Sequence, residues 1–247
     1  AAQRPNLKTL QMLNAGYDDA LAYLRPGLTL CNARGVHDAS TAELAVGLAI
    51  SSRRGFPEFM REQIAGNWSH HRTAALSDSK IGIIGFGSIG KKIAQNLSGF
   101  EVSITAFTQS GRDGSLTIDQ LDNHLPQLDI VILILPLSDS SRHLFNAERL
   151  SKMKDGALLI NVARGPVVDT EALLRELNSK RIFAALDVTD PEPLPAGHPL
   201  WSAPNLQIVP HVGGNSDAFE PRGRALIESQ LELLAAGAPL EHVVAQG

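Results

Sequence analysis

From residue 80 onward, short apolar runs alternate with stretches in which apolar positions recur every three or four residues. That alternation is the mark of a parallel sheet covered by helices on both faces. Strands are expected at 80–85, 102–108, 129–135, 157–162, 182–188 and 206–209. The run Ile130-Val-Ile-Leu-Ile-Leu135 is apolar at every position, as strands buried on both faces are. Asp169 precedes a helical pattern that sets Leu173, Leu174 and Leu177 on one face, and Asn146 precedes a shorter one; both residue types cap helices. Upstream, Ser40-Thr-Ala-Glu43 has the spacing of a capping box. A long helix should start there and run through Leu44, Leu48 and Phe56 toward Ile64, with Pro57 as a kink or break. The last helical pattern, 222–236, stops at Gly237 and Pro239. Near the start, a strand-like run over 7–13 meets a turn at Asn14-Ala-Gly16. The expected class is α/β, a doubly wound parallel sheet. Residues 40–236, with the linking helix and the C-terminal helix, form the larger domain; 1–39 and 237–247 form a smaller lobe built from both chain ends.

Composition narrows the field. With 43% hydrophobic residues in 247, the chain has ample material for a core. A net charge of -4 and scattered Lys and Arg argue against a nucleic-acid partner. No apolar run approaches the roughly 18 residues of a membrane span, so no membrane partner is expected. A single cysteine, Cys31, cannot build a disulfide framework and favours a reducing, cytoplasmic compartment. The histidines lack metal-ligand spacing, and no metal site is expected.

Candidate chemistry begins at Gly85-Phe-Gly87-Ser-Ile-Gly90, which follows an apolar strand and opens a helical pattern. In that context the motif aims free N–H groups and a helix dipole at the pyrophosphate of a dinucleotide. Gly85 would make the tight turn, Gly87 would let the phosphates approach, and Gly90 would let helix and strand pack. An NAD enzyme usually carries an acid about 20 residues further on for the ribose 2′-hydroxyl. Here the second strand ends in Phe107-Thr-Gln-Ser-Gly-Arg112, and Asp113 comes late. Hydroxyls at Thr108 and Ser110 beside Arg112 suit a 2′-phosphate, so NADP is expected ahead of NAD. A plain polar surface loop is the other reading.

Ligands of open α/β sheets bind beyond the carboxyl ends of the strands. The strands deliver there the glycines, Thr108 and Arg112, Pro136 and Ser138, Arg164, then Asp187 and Glu192, and finally His211. An Arg, a carboxylate and a His beside a nicotinamide are the parts that hydride transfer to a 2-keto acid needs. Arg164 could hold the substrate carboxylate and polarise its carbonyl, His211 could give the oxygen a proton, and Glu192 could orient the imidazole. The duller alternatives are a loop salt bridge, a loop histidine and a solvated acid. Trp201 either caps the pocket or fills a core gap.

The chain resembles the D-isomer-specific 2-hydroxyacid dehydrogenases from Leu7 to its end. The matching motifs are Asn14-Ala-Gly-Tyr-Asp18, Ser40-Thr-Ala-Glu43, Gly85–Gly90, Asn161-Val-Ala-Arg-Gly165, Leu186-Asp-Val188 with Pro191-Glu-Pro193, His198-Pro-Leu-Trp201 and Pro210-His-Val-Gly-Gly214. The resemblance implies a Rossmann cofactor domain and a partial flavodoxin-like substrate lobe, whose opening portion has no counterpart here; the chain is expected to be a piece of a longer protein, the alternative being a truncated one. It implies that Arg164, Glu192 and His211 are catalytic, that Asp187 faces the nicotinamide side of the cofactor, and that backbone groups around Ala15 and Gly16 bind substrate together with Arg164 and His211. The expected cofactor set is Gly85, Gly87, Ser88, Ile89, Gly90, Thr108, Gln109, Ser110, Arg112, Leu135, Pro136, Val162, Ala163, Asp187 and Gly213. A homodimer through the cofactor domain and the helix after Ser40 is implied. Within the family, the missing acid resembles the glyoxylate and hydroxypyruvate reductases. The alternative is a nucleotide-sensing, corepressor-like interaction module of the same fold.

Overall fold

The computed structural model describes residues 6–247. In chain order the elements are β1 (Thr9–Gln11), β2 (Thr29–Cys31), α1 (Asp38–Arg53), α2 (Phe56–Ala65), β3 (Lys80–Ile84), α3 (Ser88–Leu97), β4 (Ser103–Thr108), β5 (Leu116–Thr117), α4 (Leu121–His124), β6 (Ile130–Leu133), α5 (Ala147–Ser151), β7 (Leu158–Asn161), α6 (Thr170–Asn178), β8 (Phe183–Leu186), β9 (Leu206–Ile208), α7 (Phe219–Ala235) and β10 (Val243–Gln246).

The larger unit, Thr41–Gly213, is built on a seven-stranded sheet in the order β5-β4-β3-β6-β7-β8-β9, parallel throughout. Its strands are apolar at successive positions because each serves two cores. On β6, Ile130 and Ile132 enter the layer containing α1 and α3, while Val131 and Leu133 enter the layer of α4, α5 and α6. Side chains alternate across a strand, so a run with two buried faces has no polar position to offer. The capping residues act as expected: Asp169 accepts from Ala172 N–H at 3.0 Å and Asn146 from Arg149 N–H at 2.9 Å. β3 and β6 lie side by side although α3, β4 and β5 separate them in sequence, so the strand order reverses there. The crevice beyond such a reversal is where this architecture takes ligands.

The smaller unit consists of the chain up to Ser40 and Gly214–Gly247. In its three-stranded sheet, β2 pairs parallel with β1 and antiparallel with β10. This corrects the expected boundary at 236/237. α7 belongs to the smaller unit because Leu226 packs with Ala33 and Val36, and the buried Gln230 side chain bonds to Gln11 at 2.6 Å and to Glu241 O at 2.9 Å. In the same unit, Asn32 Nδ2 donates to Ala15 O at 2.7 Å and so fixes the loop that holds Ala15 and Gly16.

The long helix expected after Ser40 also differs. α1 begins at Asp38, so Ser40 lies inside the first turn and its hydroxyl donates back to His37 O at 3.2 Å. The break falls at Gly55, whose φ of 68° is left-handed. Pro57 sits in the first turn of α2, where a missing N–H costs nothing. Among the described residues, no helix is long and apolar enough to cross a membrane.

Candidate functional site

The glycine loop leaves β3 and enters α3 at the strand reversal. Gly85 has φ 103°, and a Cβ there would lie 2.1 Å from Ile134 O; a Cβ on Gly90 would lie 2.2 Å from Gly85 O. Gly87, the N-cap of α3, would meet nothing within 4 Å. Two glycines are therefore forced by packing, while the third faces open space with Ser88 exposed beside it. A backbone that can be approached closely at a helix N-terminus fits a dinucleotide pyrophosphate. Leu135 and Pro136 follow the neighbouring strand, and Ser141 Oγ fixes that loop by donating to Pro136 O at 2.8 Å.

At the end of β4 the hydroxyls behave differently from the sequence reading. Ser115 Oγ donates to Arg112 O at 2.6 Å, so its single proton is used. Thr108, buried and 2.7 Å from Ser115 Oγ, must then be the donor in that contact. Thr108 has no proton left for a phosphate and instead builds the loop. Gln109, Ser110 and Arg112 are exposed, and the Arg112 guanidinium makes no hydrogen bond or ion pair among the described residues.

Beyond β7, the buried Asn161 side chain closes a turn by accepting from Ala163 N–H and donating to Arg164 O, both at 3.0 Å. Val162 and Ala163 are buried within it, and Arg164 Nη1 donates to Ala163 O at 2.7 Å. A Cβ on the next residue, Gly165, would lie 1.9 Å from Thr189 O. Only glycine allows the Arg164 turn to pack this closely on the loop after β8.

That loop and the one after β9 bring Glu192 and His211 together: Glu192 Oε1 hydrogen-bonds to His211 Nδ1, with both side chains partly exposed. Thr189 N–H donates to Glu192 Oε2 at 3.4 Å and Thr189 Oγ1 to Pro191 O at 2.9 Å. His211 itself has φ 52°, a left-handed backbone that few non-glycine residues adopt and that recurs at active sites. Asp187 fixes this conformation. Its carbonyl accepts from His211 N–H at 2.8 Å, and its carboxylate accepts from Val212 N–H at 2.7 Å and Gly213 N–H at 3.1 Å. Burial pushes the Asp187 carboxyl above the usual carboxylate range, although the two N–H bonds oppose the shift. Sequence reasoning missed this clamp, the Asn161 turn and the Gly165 approach. Trp201 is 55% exposed and donates to Pro195 O, so it does not fill a core gap.

Comparison with known proteins gives the family and the fold. Residues 46–213 match the family model described as D-isomer specific 2-hydroxyacid dehydrogenase, NAD binding domain. A glyoxylate reductase of Thermofilum pendens is 37% identical over 89% of this chain and 69% of its own length. A hydroxypyruvate reductase of Thermotoga maritima is 32% identical over 90% of this chain and 76% of its own. A D-isomer specific 2-hydroxyacid dehydrogenase from Xanthobacter autotrophicus Py2, solved with NADPH and MES, superposes with a TM-score of 0.85 at 31% identity, covering 99% of this chain and 80% of that one. The chain belongs to the D-isomer specific 2-hydroxyacid dehydrogenase family. It is of the NAD(P)-dependent oxidoreductase type that acts on D-2-hydroxy acids.

Proposed function

We propose that this chain reduces a small 2-keto acid, glyoxylate, hydroxypyruvate or a close analogue, to the D-2-hydroxy acid, with Arg164, Glu192 and His211 as its catalytic residues. The observation that carries the reading is the His211–Glu192 pair at the carboxyl ends of neighbouring strands, in the same unit as the glycine loop. The nicotinamide cofactor, when bound, supplies the hydride. Arg164 holds the substrate carboxylate through paired N–H donors and polarises the carbonyl. A carboxylate only accepts, so His211 Nδ1 carries the proton shared with Glu192, and Nε2 is the nitrogen that passes a proton to the carbonyl oxygen. Glu192 balances the imidazolium charge before that transfer. Asp187 and Asn161 hold the loops that present these groups.

The preferred cofactor is NADPH. The end of β4 offers no carboxylate, Ser110 and Arg112 are exposed, and the Xanthobacter relative was solved with NADPH. The partner is a second copy of the chain: α2 buries none of its residues and exposes Met60 at 63% and Ile64 at 86%, with Trp68 beyond it at 94%. That face suits the dimer helix the family resemblance implies. A cytoplasmic location fits the single, buried Cys31.

The test is steady-state reduction of glyoxylate, hydroxypyruvate, pyruvate and phenylpyruvate with NADPH and NADH in parallel. Turnover of one of the first two with NADPH preferred is the expected result. Cofactor binding without turnover of any acid would favour the nucleotide-sensing alternative.

A further inference from the structure

The turn that carries Arg112 is tightly held. Ser115 donates to the Arg112 carbonyl from its N–H at 3.0 Å and its hydroxyl at 2.6 Å, and Gly111, Asp113 and Gly114 are all left-handed, with φ of 68°, 57° and 76°. The Asp113 side chain reaches from this turn to α3 and pairs with Lys91 Nζ at 2.9 Å. Lys91 directly follows Gly90 of the glycine loop. Lys91 holds the Asp113 carboxyl below the usual carboxylate range, and the neighbouring Arg112 charge adds to the effect.

Asp113 is an awkward neighbour for a phosphate-binding arginine. An unpaired carboxylate would repel a 2′-phosphate, and it would compete for the guanidinium, because Arg pairs with carboxylate and phosphate in the same way. We propose that Lys91 is a positioning residue for cofactor selectivity: by drawing the Asp113 carboxylate onto α3, it keeps Arg112 available to the 2′-phosphate. This rests on the NADPH reading above. The pair is about half exposed on both sides, so its loss should leave the fold intact and act on selectivity.

The experiment measures kcat and KM with NADPH and NADH for the full chain and for Lys91→Gln, Lys91→Arg, Asp113→Asn, Arg112→Gln and the Lys91→Gln/Asp113→Asn double variant. Lys91→Gln is expected to lower the NADPH-to-NADH ratio of kcat/KM by about fivefold, through KM for NADPH with kcat held. Lys91→Arg should keep the wild-type ratio, and adding Asp113→Asn should restore it, since the competing carboxylate is gone. A merely structural salt bridge would lower both cofactors' parameters together and would not be rescued by Asp113→Asn; either result overturns the proposal. If Arg112→Gln abolishes the preference while Lys91→Gln leaves it intact, the role of Lys91 is wrong and the NADPH reading stands. If Arg112→Gln leaves the ratio unchanged, the NADPH reading itself fails.

Discussion

His211 and Glu192 meet through Nδ1 and Oε1 across the ends of two neighbouring strands, and the backbone of His211 takes a left-handed turn to make the contact. In the proposed mechanism the carboxylate has two tasks: it accepts the Nδ1 hydrogen bond and it balances the imidazolium charge. Glu192→Gln keeps an acceptor and loses the charge, whereas Glu192→Ala loses both. The Gln variant is expected to reduce keto acid about tenfold more slowly and the Ala variant about 100- to 1,000-fold more slowly. Equal rates for the two variants, measured by stopped-flow reduction, would mean that charge alone matters.

Gly165 is the second sensitive point, because a methyl group there would meet the Thr189 carbonyl, a backbone atom that cannot swing away. Gly165→Ala should cost about 1–3 kcal/mol of stability, as overpacking does. It should also raise KM for the keto acid more than KM for the cofactor, because the turn it shifts carries Arg164. Urea unfolding and a KM comparison check both parts.

Much of the larger unit was legible because a parallel strand serving two cores has no polar position, and a capping Asp or Asn announces the helix that follows. The short strands were not. β2 and β10 have ordinary composition and exist through their pairing, and β5 spans only Leu116–Thr117. The unit boundary was misplaced because the tie between α7 and β1 runs partly through Gln230 and Gln11, polar residues that a hydrophobic pattern ignores. The strand-end rule set Arg164, Glu192 and His211 after β7, β8 and β9, which is where the chain carries them, since it needs only the order of elements. The Asp187 clamp depends on N–H groups 25 and 26 residues away, and the used-up Thr108 proton depends on Ser115. Neither is visible without tertiary geometry.

Asp122 offers a pH test of the surface network. Burial alone would push its carboxyl up, but Arg149 at 2.6 Å and Lys152 at 2.8 Å hold it below the usual carboxylate range. A carboxyl depressed in the folded state contributes stability above its unfolded value of about 4, and that contribution is lost as pH falls through the folded value. Asp122→Asn should therefore destabilise the protein by about 1 kcal/mol at neutral pH. The gap to wild type should close below about pH 4. A constant gap across a pH series of urea unfolding curves would contradict the assignment.

The exposed apolar face of α2 sets the third stability test. Ile64→Asp adds a charge to a side chain that is 86% exposed in the single chain. It should leave the monomer fold intact by circular dichroism and shift the sedimentation profile from dimer toward monomer. A wild-type chain that sediments as a monomer at micromolar concentration would overturn the dimer.

The most direct test of the catalytic assignment is the rate of hydroxypyruvate and glyoxylate reduction by His211→Gln, measured alongside cofactor binding by fluorescence. The cofactor is expected to bind as before while kcat falls by about 100- to 10,000-fold, the usual share of a general acid. Retention of wild-type kcat with the imidazole gone would contradict the catalytic assignment.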